Sequence, residues 1–405
     1  VCEKRAGVEH DFEKDGLDLI IRDGRLTANG TTLGGDNGVA VALMLMVLDD
    51  DEIEHPPVEC VFTTEEEVGL NGAKALDKSV LKARTMINMD SEDEGVATVS
   101  CAGGLRVQFT KEIQRTTVQG SLLTLKVEGL LGGHSGQDID KERQNADLLM
   151  ARMIQRLLKE TKGQLVSFNG GTKDNAIPRE CEASLIYESD EEAAKAEELA
   201  CELAETYAEE LTPAEPDFSC EISCETNRTA EAIPQDAAKE FICAMRLAPN
   251  GIQKRNIKMD GFVVVSLNLG VVRTEEDRIV MIFSPRSSVA SLQEDTKERL
   301  NTLAETFGFT VSHSSEYPGW SFKEDSPVRE ICKESYKELF GEDLKIEAIH
   351  AGLECGLFSD AIKGLDAIAI GPTIANCHTP DEYLTLDSFE RFYEFLKDIL
   401  SRLAK

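Results

Sequence analysis

The stretch Val58-Glu59-Cys60-Val61-Phe62-Thr63-Thr64-Glu65-Glu66-Glu67-Val68-Gly69 joins an apolar, β-branched run to three consecutive carboxylates and a glycine. Residues 58–64 read as a strand, and the acids fall where that strand would end. The alternation continues on either side. Residues 38–48 read as a buried helix opening just after Gly34-Gly35-Asp36-Asn37, and residues 85–90 read as a second strand ending on Asp90. Strand and helix in alternation imply an α/β fold with a mostly parallel sheet, in which ligands collect at the carboxyl ends of strands. The acids at those ends therefore attract the first functional attention.

Composition narrows the partners. The 405 residues carry 43 Lys+Arg against 75 Asp+Glu, a formal net charge of −32. That excess argues against a nucleic-acid partner or an anionic membrane surface, since both repel it. The longest apolar run, residues 39–48, is about half the ~20 residues that a membrane-spanning helix needs. The 11 cysteines, an odd number without a dense framework, fit a reducing compartment, so a soluble cytoplasmic protein is expected. Cys220 and Cys224 are the closest pair, but no matching second pair completes a metal-binding spacing. The chain opens Val1-Cys2-Glu3-Lys4, with neither Met nor a signal-peptide pattern, and reads as the middle of a protein.

From about Gly103 the texture changes. Residues 105–110 and 121–128 alternate like half-exposed antiparallel strands, residues 145–159 form an amphipathic helical pattern, and residues 184–188 read as a strand. Residues 190–210 read as a surface helix with Leu199, Leu203 and Tyr207 on its buried stripe. A second round follows at 262–269, 278–284 and 291–307, which suggests a doubled α+β unit. Beyond Tyr317-Pro318-Gly319-Trp320 the α/β pattern returns, with helices at 327–340 and from 386, and strands at 344–348 and 367–370. The chain thus divides into a first α/β part, 1–103, an inserted α+β domain, 104–315, and a second α/β part, 316–405.

Asp36, within Gly34-Gly35-Asp36-Asn37-Gly38, reads either as a carboxylate brought close to a ligand or as an N-cap. Glu65-Glu66-Glu67 repel one another unless a cation is near, or form a solvated acidic loop. Asp90 is a strand-end acid or a turn residue. His378, in the loop from Gly371 to Glu382, would share the carboxyl-end rim with Asp36, Glu67 and Asp90. One imidazole among carboxylates suits zinc, and also manganese or cobalt. In the inserted domain, His134 is flanked by glycines and accessible. Asn175 and Arg286 read as loop residues, Arg286 with a fork suited to a carboxylate.

These segments also match known motifs in order: Gly34-Gly35-Asp36-Asn37-Gly38, the 62–69 stretch, Asn88-Met89-Asp90-Ser91, Gly132-Gly133-His134-Ser135-Gly136, His350-Ala351-Gly352-Leu353-Glu354-Cys355, and the 371–382 loop. Over essentially its whole length the chain resembles the aminoacyl-histidine dipeptidases (cytosol non-specific or Xaa-His dipeptidases) of the two-zinc aminoacylase/carboxypeptidase-like metallopeptidases. The resemblance implies a zinc-peptidase domain interrupted by a large α+β lid, and hydrolysis of dipeptides by metal-activated water. It implies two Zn²⁺ per intact chain, with Asp36 bridging them, Glu67 and His378 holding one, and Asp90 holding the other. It further implies Glu66 as general base, His134 as oxyanion donor, Asn175 and Arg286 on the substrate carboxylate, and Glu354 on its amino group. A cis Asp36–Asn37 peptide is implied as well, and a homodimer stays open.

In that family a metal-binding His, one residue, and an Asp followed by Met come immediately before the sequence that opens here at Val1. The expectation is therefore an N-terminally truncated chain, weakly active or inactive by itself, with at most one tightly held metal. Two alternatives stay in view: a deacylase or aminopeptidase on the same scaffold, for which Glu354 discriminates, and a non-catalytic metal-binding homologue.

Overall fold

The structure, a computed structural model, describes residues 1–257 and 261–405. The chain forms two compact units, Val1–Cys101 with Gly319–Lys405, and Ala102–Pro318. Among the described residues no helix is long and apolar enough to cross a membrane.

The first unit draws every layer from both of its chain segments. Its main sheet runs in the order Lys345–Ile349, Val96–Cys101, Asp366–Ala369, Thr85–Asn88. The outer pairs are parallel, and one antiparallel contact, Ala369 with Thr98, joins them. A smaller antiparallel sheet, in the order Leu19–Arg22, Arg25–Ala28, Tyr383–Thr385, Ile374–Ala375, frames the loop that carries His378. The helix Leu386–Leu403 buries Phe392, Phe395, Leu396, Ile399 and Leu400, a 3–4 residue spacing that makes one apolar stripe. The helix Pro327–Phe340 is bounded locally. Ser326 Oγ accepts from the Arg329 N–H, Pro327 occupies the first turn, and Gly341 closes the helix at φ 77°. Where the two segments of this unit part, Cys101 and Trp320 exchange a pair of backbone hydrogen bonds of 3.0 and 2.9 Å.

Residues 58–64, expected as a strand, form none. Val58, Val61 and Phe62 instead line a cavity of about 750 Å³, together with Met86, Ile87 and the helical residues Val41 and Met44. β-branched composition favours an extended backbone, but a strand exists only where a neighbour supplies ladder partners. None does so here among the described residues.

The second unit is built on a nine-stranded sheet with helices packed on its apolar face. The order is Ser219–Ala232, Thr116–Glu128, Cys181–Tyr187, Gln164–Gly170, Phe262–Thr274, Arg278–Ser287, Gly103–Glu112, Thr310–Tyr317, with Gly251–Asn256 also pairing Phe262–Thr274. Both rounds of strand, strand and helix therefore enter a single antiparallel sheet. Along Thr116–Glu128 burial alternates, placing Leu123, Leu125 and Val127 inward. They meet Met150, Met153 and Leu157 of the helix Ala146–Glu160, and Phe241 of the helix Gln235–Leu247. On the helix Asp190–Leu211, Tyr207 is buried but Leu199 and Leu203 only half so. The deepest stripe runs through Ala193, Ala196 and Ala200, whose small side chains let the helix approach closely.

One buried acid interrupts this core. Asp147, on the first turn of Ala146–Glu160, is fully buried beside the Cys181 thiol. A side chain at Gly170 would overlap its Oδ1. Burial pushes its carboxyl up to about 8, against smaller opposing contributions from Cys181 and Arg273. The folded form therefore retains a proton that the unfolded chain releases above its ordinary value of 3.8. The associated stability is full below that value and is lost as pH rises toward 8.

Two outcomes follow from this packing. Phe168 is fully buried, edge-on to Phe241 at 5.4 Å, so Phe168→Ala should cost about 3–5 kcal/mol in denaturant unfolding. A loss below about 1 kcal/mol would contradict the packing described. Asp147→Asn should flatten the decline in unfolding midpoint between pH 5 and 8. Equal slopes for variant and parent would show that Asp147 does not hold the proton.

Candidate active site

The site starts from a tight bend. Gly34 has left-handed geometry (φ 70°, ψ 27°) and precedes the helix Gly35–Asp49, and the Asp36–Asn37 peptide is cis. The backbone N–H groups of Leu33, Gly34 and Asp36 all turn onto the carboxylate of Glu382. Asn37 then works in two directions. Its Nδ2 donates to Met89 O (3.1 Å) and Asp90 Oδ1 (2.9 Å), while its Oδ1 accepts from the Ala40 N–H at 3.0 Å. Asp90 is thereby tied to the bend that carries Asp36.

The three consecutive glutamates separate. Glu65 has a positive φ of 54° and accepts from Asn71 Nδ2. Glu66 is half-buried, and Glu67 reaches His378. The backbone holds this turn through Gly69 N–H and Leu70 N–H donating to Glu66 O, and Gly72 N–H donating to Thr64 O at 2.8 Å. Any side chain at position 72 would meet Thr64 O at 2.3 Å, so this close approach requires glycine.

His378 closes the group. Its Nε2 lies 2.9 Å from Asp36 Oδ2 and 2.8 Å from Glu67 Oε1. One ligand atom from each of Asp36, Glu67 and His378 falls within 4.8 Å of the others, so the three can grip one cation. Burial alone would lower the pKa of His378. The hydrogen bond to Asp36 and the charges of Glu67 and Asp36 outweigh it and raise the pKa. A second group of the same compactness is Asp36, Glu92 and Cys377. Asp90 belongs to neither group.

The electrostatics suit a cation. Glu66 is pushed up to about 7 by burial and then by the charges of Glu67, Glu354 and Asp36. Asp90 is also pushed to about 7, by burial and then by Asp36, Glu66 and Glu354, against the hydrogen bond from Asn37. Glu354, on the first turn of the helix Glu354–Ala361, accepts from Thr63 Oγ1 at 2.8 Å, and burial raises it. Five acids thus crowd one corner of the first unit. A divalent cation offsets that repulsion directly.

In the second unit, His134 lies on the short strand Gly133–His134, paired with Ala176–Ile177. Its Nδ1 accepts from the Gln137 N–H (3.0 Å) and the Gly136 N–H (3.3 Å). Burial, and then the charge of Arg286, lower its pKa against the pull of Asp138. The neutral ring therefore carries its hydrogen on Nε2. Asn175 is exposed, its backbone carbonyl accepting from the Ser135 N–H. Arg286, expected in a loop, sits in the strand Arg278–Ser287 and is buried. The Ser-Pro-Arg-Ser-Ser run reads as a turn, yet ladder pairing with Ser266 and Gly104 extends the strand through it. Its Nη1 donates to Tyr317 Oη at 3.0 Å, and its Nε has no hydrogen-bond acceptor among the described residues.

Sequence reasoning passed over Asn37 and Glu382. An Asn before a helix and an acid in an Asp381-Glu382 pair both look like ordinary turn residues. Their signal is tertiary.

Residues 6–402 match the model of Peptidase family M20/M25/M40. The chain is 34% identical over 409 aligned residues to the cytosol non-specific dipeptidase of Escherichia coli (strain K12), covering 100% of this chain and 83% of that protein. It is similar in structure to the aminoacylhistidine dipeptidase from Vibrio alginolyticus, with a TM-score of 0.94 and 35% identity over 99% of this chain and 82% of that one. The aminopeptidase PepT from Bacillus cereus ATCC 10987 shares the fold alone, at a TM-score of 0.51 and 16% identity over 96% of this chain and 77% of that one. With a match across nearly its full length, and a corner of acids and one imidazole gathered from both ends of the sequence, the chain belongs to peptidase family M20/M25/M40.

Proposed function

We infer that the chain is a metal-dependent dipeptidase acting on Xaa-His and other dipeptides, with zinc as its cation. The convergence of Asp36, Glu67 and His378 carries this reading, with Glu66 next in sequence but outside the ligand group. Two carboxylates and an imidazole are a borderline set that suits zinc, and cobalt or manganese also fit. The second cation of the proposed pair would use Asp36 and Asp90. The names of the Escherichia coli and Vibrio relatives support the dipeptide substrate, and the second of them supports the Xaa-His preference. A cytoplasmic location is supported by the first relative's name and by the unpaired cysteine thiols.

A divalent cation in this corner supplies Lewis-acid polarisation and lowers the pKa of a water to about 7. Glu66 would take the proton from that water and return it to the leaving amine. A cation held by Asp36, Glu67 and His378 would draw the Glu66 pKa down from about 7 and so keep the base ionised at neutral pH. His134, neutral with its hydrogen on Nε2, is suited to donate to the carbonyl oxygen as negative charge develops there, a contact worth about 3 kcal/mol in comparable cases. Arg286, with a buried N–H lacking an acceptor, suits the substrate carboxylate, and Asn175 is assigned beside it. Glu354 is assigned to the substrate's free amino group. Recognition of both termini restricts the substrate to two residues.

In the intact protein, Glu66→Gln should lower kcat by about 10²–10⁴ while leaving Co²⁺ binding intact, measured on a dipeptide panel and by calorimetric titration. Parent-like turnover in the variant would overturn the assignment of the base. N-acetylated dipeptides cleaved as fast as free ones would replace the dipeptidase reading with a deacylase. Chelation should abolish turnover, added Zn²⁺ should restore it, and His378→Ala should weaken cation uptake. Activity that persists after exhaustive chelation would remove the metal from the reading.

A further inference from the structure

We propose that Glu382 is a positioning residue for the metal corner, a clamp that joins the loop of one ligand to the loop of another. The inference rests on the metal reading above. Glu382 is 2% exposed. Its Oε2 accepts from the Leu33 N–H at 2.8 Å and the Gly34 N–H at 2.9 Å, and its Oε1 accepts from the Asp36 N–H at 3.2 Å, across 346 positions of sequence. The opening of a helix leaves backbone N–H groups without intrahelical partners, and a side chain at the N-cap usually takes them up. Here Asp36 and Asn37 are not helical, so the regular helix opens after them with Asn37 Oδ1 taking up the Ala40 N–H, and the N–H groups of the bend before it are left to find another acceptor. The left-handed turn at Gly34 instead collects these N–H groups into a concavity suited to an anion, and a distant carboxylate fills it.

Glu382 is itself anchored. Its N–H donates to Thr379 O at 3.1 Å, and its carbonyl accepts from Thr27 Oγ1 at 2.8 Å. The strand Tyr383–Thr385 that follows pairs with Arg25–Ala28. Four residues before Glu382 stands His378. The clamp thus fixes the backbone of Asp36 against the same loop that delivers the imidazole. Repulsion among the clustered acids would otherwise let that loop relax. Both carboxylate oxygens are used, so an amide cannot replace the group. Glutamine would turn an NH₂ toward N–H donors.

The test is Co²⁺ affinity of the intact, metal-stripped protein by isothermal titration, for the parent, Glu382→Gln and Glu382→Asp. Residues that orient metal ligands typically alter metal affinity by about 10–100-fold. Each variant should therefore bind Co²⁺ at least about tenfold more weakly, with faster hydrogen exchange at the Gly34 and Asp36 amides in the metal-free state. Glu382→Asp keeps the charge but shortens the reach, so its failure to rescue separates position from charge. Should Glu382→Gln not fold, the aspartate variant carries the measurement. Affinity and exchange within twofold of the parent would overturn this proposal and leave the metal reading standing. A parent protein that takes up no Co²⁺ would overturn both.

Discussion

Like charges crowd one corner of this protein. Asp36, Glu66, Glu67, Asp90 and Glu354 stand near enough that Glu66 and Asp90 are each pushed up to about 7, with burial the larger cause and their acidic neighbours the next. Left to themselves such groups separate or take up protons. A cation would offset that repulsion, and Asp36, Glu67 and His378 stand close enough together to grip one. The proposed division between ligand and base and the proposed borderline metal both rest on this enforced crowding.

Hydrogen bonds from the backbone and from the Asn37 amide hold the acids in place. The turn after Thr64 separates the fates of three adjacent glutamates: one exposed beside Asn71, one half-buried, one facing the imidazole. Asn37 ties Asp90 to the Asp36 bend. The largest apolar core lies in the other unit, where aromatic and methionine side chains fill the space between sheet and helices. The crowded acids and the largest apolar core thus lie in different units, so repulsion in the acidic corner does not act on that core.

What the sequence made legible was local. Helices with strong periodicity, such as Ala146–Glu160 and Pro327–Phe340, stand within a residue or so of where the pattern put them. Ser219–Ala232 goes unassigned in the sequence although Cys220, Ile222 and Cys224 alternate onto the core, because the largely polar run 225–231 that completes it, mostly exposed at the sheet edge, carries no such pattern. Gln164–Gly170 and Thr310–Tyr317 are short strands of mixed polarity that owe their state to their neighbours. Residues 58–64 erred the other way, having the propensity without the partner. At the site, motif resemblance singled out Asp36, Glu67 and His378, which the fold brings together. Asn37 and Glu382 were invisible because their contribution is a set of contacts to backbone distant in sequence.

The paired hydrogen bonds between Cys101 and Trp320 stitch the first unit closed where its two segments diverge. Everything from Ala102 to Pro318 leaves and returns through that one stitch. The entropy of closing a loop grows only with the logarithm of its length, so a much longer or shorter excursion would strain the junction little. Insertions and deletions within the excursion can therefore accumulate while the hydrogen bonds at its base stay in register.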